Sequence, residues 1–136
     1  EEPAPQEGEE QPQESSDSTN SLGQCALAWA TKQVGKGYSQ QARYGPNSFD
    51  CSGLVVKAYE ACGRKNMPTW TGAYPGGLKA VPNDQMQPGD ILYRDGHVAL
   101  YAGNGEIVHA VSTKHGVKKT PINGWFGGSV QKVYRP

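Results

Sequence analysis

The chain has 136 residues and no formal net charge, with 13 Lys and Arg against 13 Asp and Glu. That length suits one domain with its own core and is too short for two. No apolar run approaches the roughly 20 residues that cross a bilayer, and neither a glycine period nor a sustained heptad supports a collagen-like or coiled-coil chain.

The neutrality is a sum over unlike parts. Seven acids (Glu1, Glu2, Glu7, Glu9, Glu10, Glu14 and Asp17) fall within the first 17 residues, and no basic residue precedes Lys32. From Leu22 onward the chain has 13 basic against 6 acidic side chains, a net +7. Residues 1–20 are Glu, Gln, Pro and Ser with almost nothing apolar, a composition that cannot offset its ordering entropy. They read as a disordered acidic linker ahead of a single domain at 21–136, either a tether to a domain upstream or a terminal segment with no role of its own. Basic residues are spread through that domain without a run or a nucleic-acid motif, so no nucleic-acid partner is expected. A net +7 favours long-range attraction to anionic polymers, and it is also what an ordinary solvated surface can carry.

In chain order, Asn20 or Ser21 can cap a first helix whose stripe is Leu22, Cys25, Ala26, Trp29 and Ala30. Gly35 and Gly37 end it. A loop leads to Phe49-Asp50-Cys51-Ser52-Gly53, and the apolar run Leu54–Tyr59 reads as a second helix stopped at Cys62-Gly63. A further loop covers 63–82. Ile91–Tyr93, Val98–Ala102, Glu106–Ala110 and Val130–Tyr134 read as strands, joined by Asp95-Gly96 and Gly103-Asn104-Gly105 turns. Helices followed by strands predict an α+β domain with an antiparallel sheet.

Cys51 sits where a loop enters a helix, with Asp50 as N-cap. The helix dipole and unpaired N–H groups there are expected to lower its pKa and to hold an oxyanion. Two histidines qualify as its base. A three-residue Gly103–Gly105 loop, or an equivalent bulge, sets Ala99 opposite His109 and puts His97 on the same face. A plain two-residue Asn104-Gly105 turn puts the histidines on opposite faces. The first register is predicted, with His97 as general base and His109 orienting it. A zinc site of Cys51, His97 and His109 is disfavoured because no close-spaced ligand pair exists; no metal or cofactor is expected. Cys25 and Cys62 meet if the two helices pack antiparallel, giving either a disulfide or two buried thiols. Trp29 reads as core, whereas Trp70, Tyr74 and Trp125-Phe126 lie in loops and can line a cleft.

Phe49-Asp50-Cys51-Ser52-Gly53-Leu54-Val55, Pro88-Gly89-Asp90-Ile91-Leu92, Gly96-His97-Val98-Ala99-Leu100-Tyr101 and Gly103–Ala110 together resemble the signature blocks of NlpC-type cell-wall peptidases. These are papain-like cysteine hydrolases that cut the peptide stems of peptidoglycan. The resemblance runs in order from about Leu22 to Tyr134. It implies a papain-like α+β fold, Cys51 as nucleophile, His97 as base, His109 as third residue, and a bond between γ-D-glutamate and the following diamino acid. It also implies a secreted or wall-associated enzyme, a monomer or one tethered to an upstream domain, that acts on peptidoglycan peptides and can meet anionic wall polymers, with contacts to the stem peptide from Tyr38, Asp50, Ser52 and Gly96. Upstream of Cys51 the sequence departs from the family's Tyr-x-Trp-Gly-Gly and reads Tyr38 to Pro46, closer to phage-associated and Gram-positive lysins. An amidase cutting before L-alanine, an acyltransferase, and a wall-binding module with a dead site remain alternatives.

Overall fold

A computed structural model describes residues 20–123 and 130–136; the acidic linker assigned to 1–20 lies outside them except for Asn20, and so does the Trp125-Phe126 pair. Two helices, α1 (Ser21–Thr31) and α2 (Cys51–Ala61), are joined through two short strands, β1 (Gly37–Tyr38) and β2 (Ser48–Phe49), which pair in parallel. After a single helical turn, α3 (Tyr74–Gly77), come the strands β3 (Ala80–Val81), β4 (Ile91–Arg94), β5 (His97–Gly103), β6 (Glu106–Ala110), β7 (Val117–Pro121) and β8 (Lys132–Tyr134). They form one antiparallel sheet in the order β3-β8-β4-β5-β6-β7. The α+β expectation is met. No helix among the described residues is long and apolar enough to cross a membrane.

Pleating divides the sheet residues between two faces. Val98, Leu100, Val108 and Ala110 join Ala26, Ala30, Leu54, Val55 and Ala58 of the helices in the main core. Leu92, Ala99 and Ile107 form a smaller cluster on the face that His97 and His109 share by alternation. Trp29 completes the helix side, meeting Phe49 edge-on with ring centroids 5.9 Å apart.

Asn20 occupies the N-cap position of α1 but makes no side-chain cap; its Nδ2 donates instead to the Pro88 carbonyl at 2.8 Å. The last residue assigned to the linker is therefore buried in the domain. Asp90, fully buried, accepts from Gln87 N at 2.7 Å and from Arg135 Nε and Nη2 at 2.8 and 2.7 Å. That carboxylate joins the entry to β4 with the chain's last residues. Beside it, a Cβ on Gly89 would stand 2.1 Å from the Gly23 backbone, so the Pro88-Gly89-Asp90 block is where α1 closes on the sheet. Cys25 and Cys62 form a disulfide between the start of α1 and the end of α2, which decides between the two alternatives left by the sequence.

Candidate active site

Cys51 is the first residue of α2. Asp50 has extended backbone, and its Oδ1 accepts from Gly53 N at 2.6 Å, which is an N-cap in the expected place. A Cβ at position 53 would fall 2.1 Å from the Arg43 carbonyl. Glycine there lets the preceding loop cross the helix start. Arg43 fixes that crossing: its Nε donates to Asp50 Oδ2 at 2.8 Å, its Nη1 to Tyr44 Oη at 2.9 Å, and its Nη2 to Ser52 Oγ at 2.5 Å and to the Thr69 carbonyl. Both oxygens of Asp50 thus have partners within the protein, and Ser52 is tied to the same guanidinium. Arg43 is not legible in the sequence, because a basic residue inside a Gly, Pro and Asn loop carries no periodic signal.

Cys51 is the one cysteine outside a disulfide, and it is partly buried. Burial pushes its thiol up, the backbone N–H of Val98 opposes that, Asp50 adds to the rise, and the N–H groups of Ser52 and Cys51 itself pull down. The net direction is upward. This corrects the expectation of a lowered pKa: the helix-start amides act as foreseen, but desolvation outweighs them. The Val98 contact also locates the sulfur, against the backbone amide of the residue that follows His97 at the start of β5. Tyr38 lies in the same environment, where burial raises its hydroxyl and the Cys51 and Asp50 charges add to the rise.

The hairpin decides whether the histidines meet. Its tip is the two-residue turn Asn104-Gly105, with φ of 57° and 76°, yet Leu100 faces Val108 and Tyr101 faces Ile107. The register shifts between Tyr101 and Gly103, leaving Ala102 as a bulge. The bulge restores the register of a three-residue loop, the equivalent foreseen from the sequence. His97 Nε2 and His109 Nδ1 lie 2.8 Å apart, and His109 Nε2 is 2.8 Å from Thr120 Oγ1. Thr120 was not singled out, since β7 reads Val-Lys-Lys-Thr-Pro and lacks a strand-like apolar pattern.

Both rings are buried. Burial lowers His97 to about 4, helped by the Arg94 charge on the paired strand residue. Burial lowers His109 to about 3, with His97 adding to the effect. At neutral pH both imidazoles are therefore uncharged, and Cys51 rests as a thiol.

Gly96 closes the Asp95-Gly96 turn ahead of His97, with φ of 82°. Trp70 is well exposed, whereas Tyr74 is fully buried, stacked on Tyr93 and edge-on to Tyr134. Of the two loop aromatics, only Trp70 is placed to line an open surface.

The sequence profile of the NlpC/P60 family matches residues 35–134. The chain belongs to the NlpC/P60 family. Among NlpC/P60 relatives, it is 35% identical over 103 residues to a protein of Listeria seeligeri named probable endopeptidase p60, covering 72% of this chain and 19% of that one. It is 33% identical over 82 residues to the peptidoglycan endopeptidase RipA of Mycolicibacterium smegmatis, covering 57% of this chain and 16% of that one. The chain thus spans about a fifth of the length of these curated relatives. The crystal structure of the NlpC/p60 domain of the peptidoglycan hydrolase SagA superposes with a TM-score of 0.72 at 26% identity, covering 82% of this chain and 97% of that one. In length, then, the chain corresponds to the NlpC/P60 domain itself.

Proposed function

We propose that this NlpC/P60 domain is a cysteine endopeptidase that hydrolyses an amide bond in the peptide stems of peptidoglycan, between γ-D-glutamate and the following diamino acid. The observation that carries the proposal is the placement of Cys51 at a helix start, against the amide that follows His97, with His97 hydrogen-bonded to His109. The names of the relatives support peptidoglycan as substrate and hydrolysis as reaction.

His97 engages His109 through Nε2, and in this reading Nδ1 is the nitrogen that serves the thiol. As sulfur attacks the carbonyl carbon, the thiol proton passes to Nδ1, which suits a pair that rests uncharged. N–H groups at the start of α2 stabilise the oxyanion. The imidazolium then protonates the leaving amine, and water, deprotonated by the same nitrogen, releases the acyl group from Cys51. Tyr38, Ser52 and Gly96 contact the stem peptide. Asp50 acts chiefly through its cap and its pair with Arg43. Export to the cell wall follows from the substrate, and the disulfide is compatible with an oxidising compartment.

The test is mass spectrometry of muropeptides digested by the wild type. The expected product is a new amino terminus on the diamino acid. A new terminus on L-alanine would make the domain an amidase, and unaltered muropeptides would overturn the hydrolase reading.

A further inference from the structure

His97, His109 and Thr120 stand on the adjacent strands β5, β6 and β7. His97 Nε2 meets His109 Nδ1 at 2.8 Å, and His109 Nε2 meets Thr120 Oγ1 at 2.8 Å. Thr120 is 5% exposed and His109 1%, so water does not substitute for either partner without a change in packing. Register explains the alignment: Ile107 faces Thr120 across β6 and β7, which puts Thr120 and His109 on one face a diagonal step apart.

We propose that Thr120 is a positioning residue of the site: its hydroxyl oxygen accepts from His109 Nε2–H and so keeps His109 Nδ1 as the acceptor for His97. This rests on the reading of His97 as the base. A neutral imidazole carries one proton, and the chain of contacts allows two directions. In one, His97 Nε2–H donates to His109 Nδ1, His109 Nε2–H donates to Thr120 Oγ1, and His97 Nδ1 holds a lone pair. In the other, every donor is reversed, and His97 Nδ1 carries a proton and accepts none.

Only the first direction serves the reaction. When the S–H bond breaks, its electron pair stays on sulfur and its proton forms an N–H bond at His97 Nδ1. Both nitrogens of His97 are then donors, so His109 must accept through Nδ1 and hold its own proton on Nε2. Thr120 Oγ1 is the acceptor placed there. The protons on His97 Nε2 and His109 Nε2 stay where they are. His109 is neutral and gives the imidazolium no countercharge, and Arg94 works against that charge. Orientation by hydrogen bonds is therefore what this arrangement supplies.

The test compares wild type, Thr120→Ser and the nearly isosteric Thr120→Val, with ¹⁵N-labelled histidine read by long-range ¹H–¹⁵N correlation. Wild type and Thr120→Ser should carry the His109 proton on Nε2. In Thr120→Val a species protonated on Nδ1 should appear, and kcat on a stem-peptide substrate should fall about tenfold or more with KM within about twofold. Thr120→Ser should keep most of kcat. A wild type protonated at His109 Nδ1 overturns the proposal whether or not any variant folds. So does Thr120→Val with unchanged tautomers and kcat, or Thr120→Ser as impaired as Thr120→Val. If the expected tautomers are found but the wild type cleaves no stem peptide, Thr120 keeps its positioning role and the hydrolase reading falls.

Discussion

His97 and His109, twelve positions apart in the chain, face each other Nε2 to Nδ1 across a hairpin whose single bulge at Ala102 sets their register. Without that extra residue the two-residue Asn104-Gly105 turn would put them on opposite faces. One inserted residue therefore separates a histidine pair from two unrelated strand positions.

Depressed histidine pKa values predict a broad activity range on the acid side. His97 stays unprotonated down to about 4, so with His97 as the proposed base kcat/KM for a stem peptide should hold from pH 8 to below 6 and fall only near 4. An acid limb at 6.5, the ordinary histidine value, would contradict the burial seen here.

The same shifts bear on stability. Both histidines titrate lower in the folded state than in the unfolded chain, so between those values the unfolded chain binds more protons. Their contribution is fully present above about pH 6.5 and is lost as pH falls through the folded values near 4 and 3. For His97 alone the loss is roughly 3 kcal/mol. Urea denaturation at pH 7 and pH 4.5 should show a lower midpoint at the acid pH, and His109→Gln should flatten the difference.

Arg43 joins Asp50, Ser52 and the Thr69 carbonyl around the start of α2, where Cys51 stands. Arg43→Met should lower kcat/KM by about tenfold, with a loss of about 1–3 kcal/mol in stability as Asp50 loses its charged partner. Arg43→Lys should restore only part of either, because one ammonium cannot span the three acceptors. Steady-state kinetics and urea denaturation of both variants check this.

Asp90 is fully buried and relies on Arg135 for its countercharge. Arg135→Met should destabilise the domain by about 3–5 kcal/mol while leaving kcat nearly unchanged at low temperature. The combination separates a structural pair from a catalytic one.

The Cys25–Cys62 bond closes a loop across 37 positions. Reduction, or Cys25→Ser with Cys62→Ser, should cost about 2–4 kcal/mol. Thermal melting with and without reductant reads it, and Cys51 should remain the only thiol alkylated in the unreduced native protein.

What the sequence made legible was whatever rests on local pattern. Asp50 as a cap, Cys51 at the helix start and the α2 stripe follow from spacing within a few residues, and the His97–His109 register followed from counting across one turn. The contributions of Thr120 and Arg43 were not legible, because each depends on a partner brought near by the sheet or by a loop without periodicity. The strand β7 escaped notice because only Val117 and Thr120 of its five residues are buried. The thiol's upward shift was also hidden, since burial of Cys51 by β5 is a tertiary property. Asp90 stood out as part of a motif, yet its role is to join the two ends of the domain, which the sequence does not distinguish from a role in the site.

The central claim is that Cys51 is the nucleophile. Its most direct test is kcat/KM for a defined stem peptide with wild type and Cys51→Ala, the variant's fold verified by its melting temperature. The account predicts that Cys51→Ala melts like the wild type and turns over no substrate above background. Cleavage by Cys51→Ala within tenfold of the wild-type rate would contradict it.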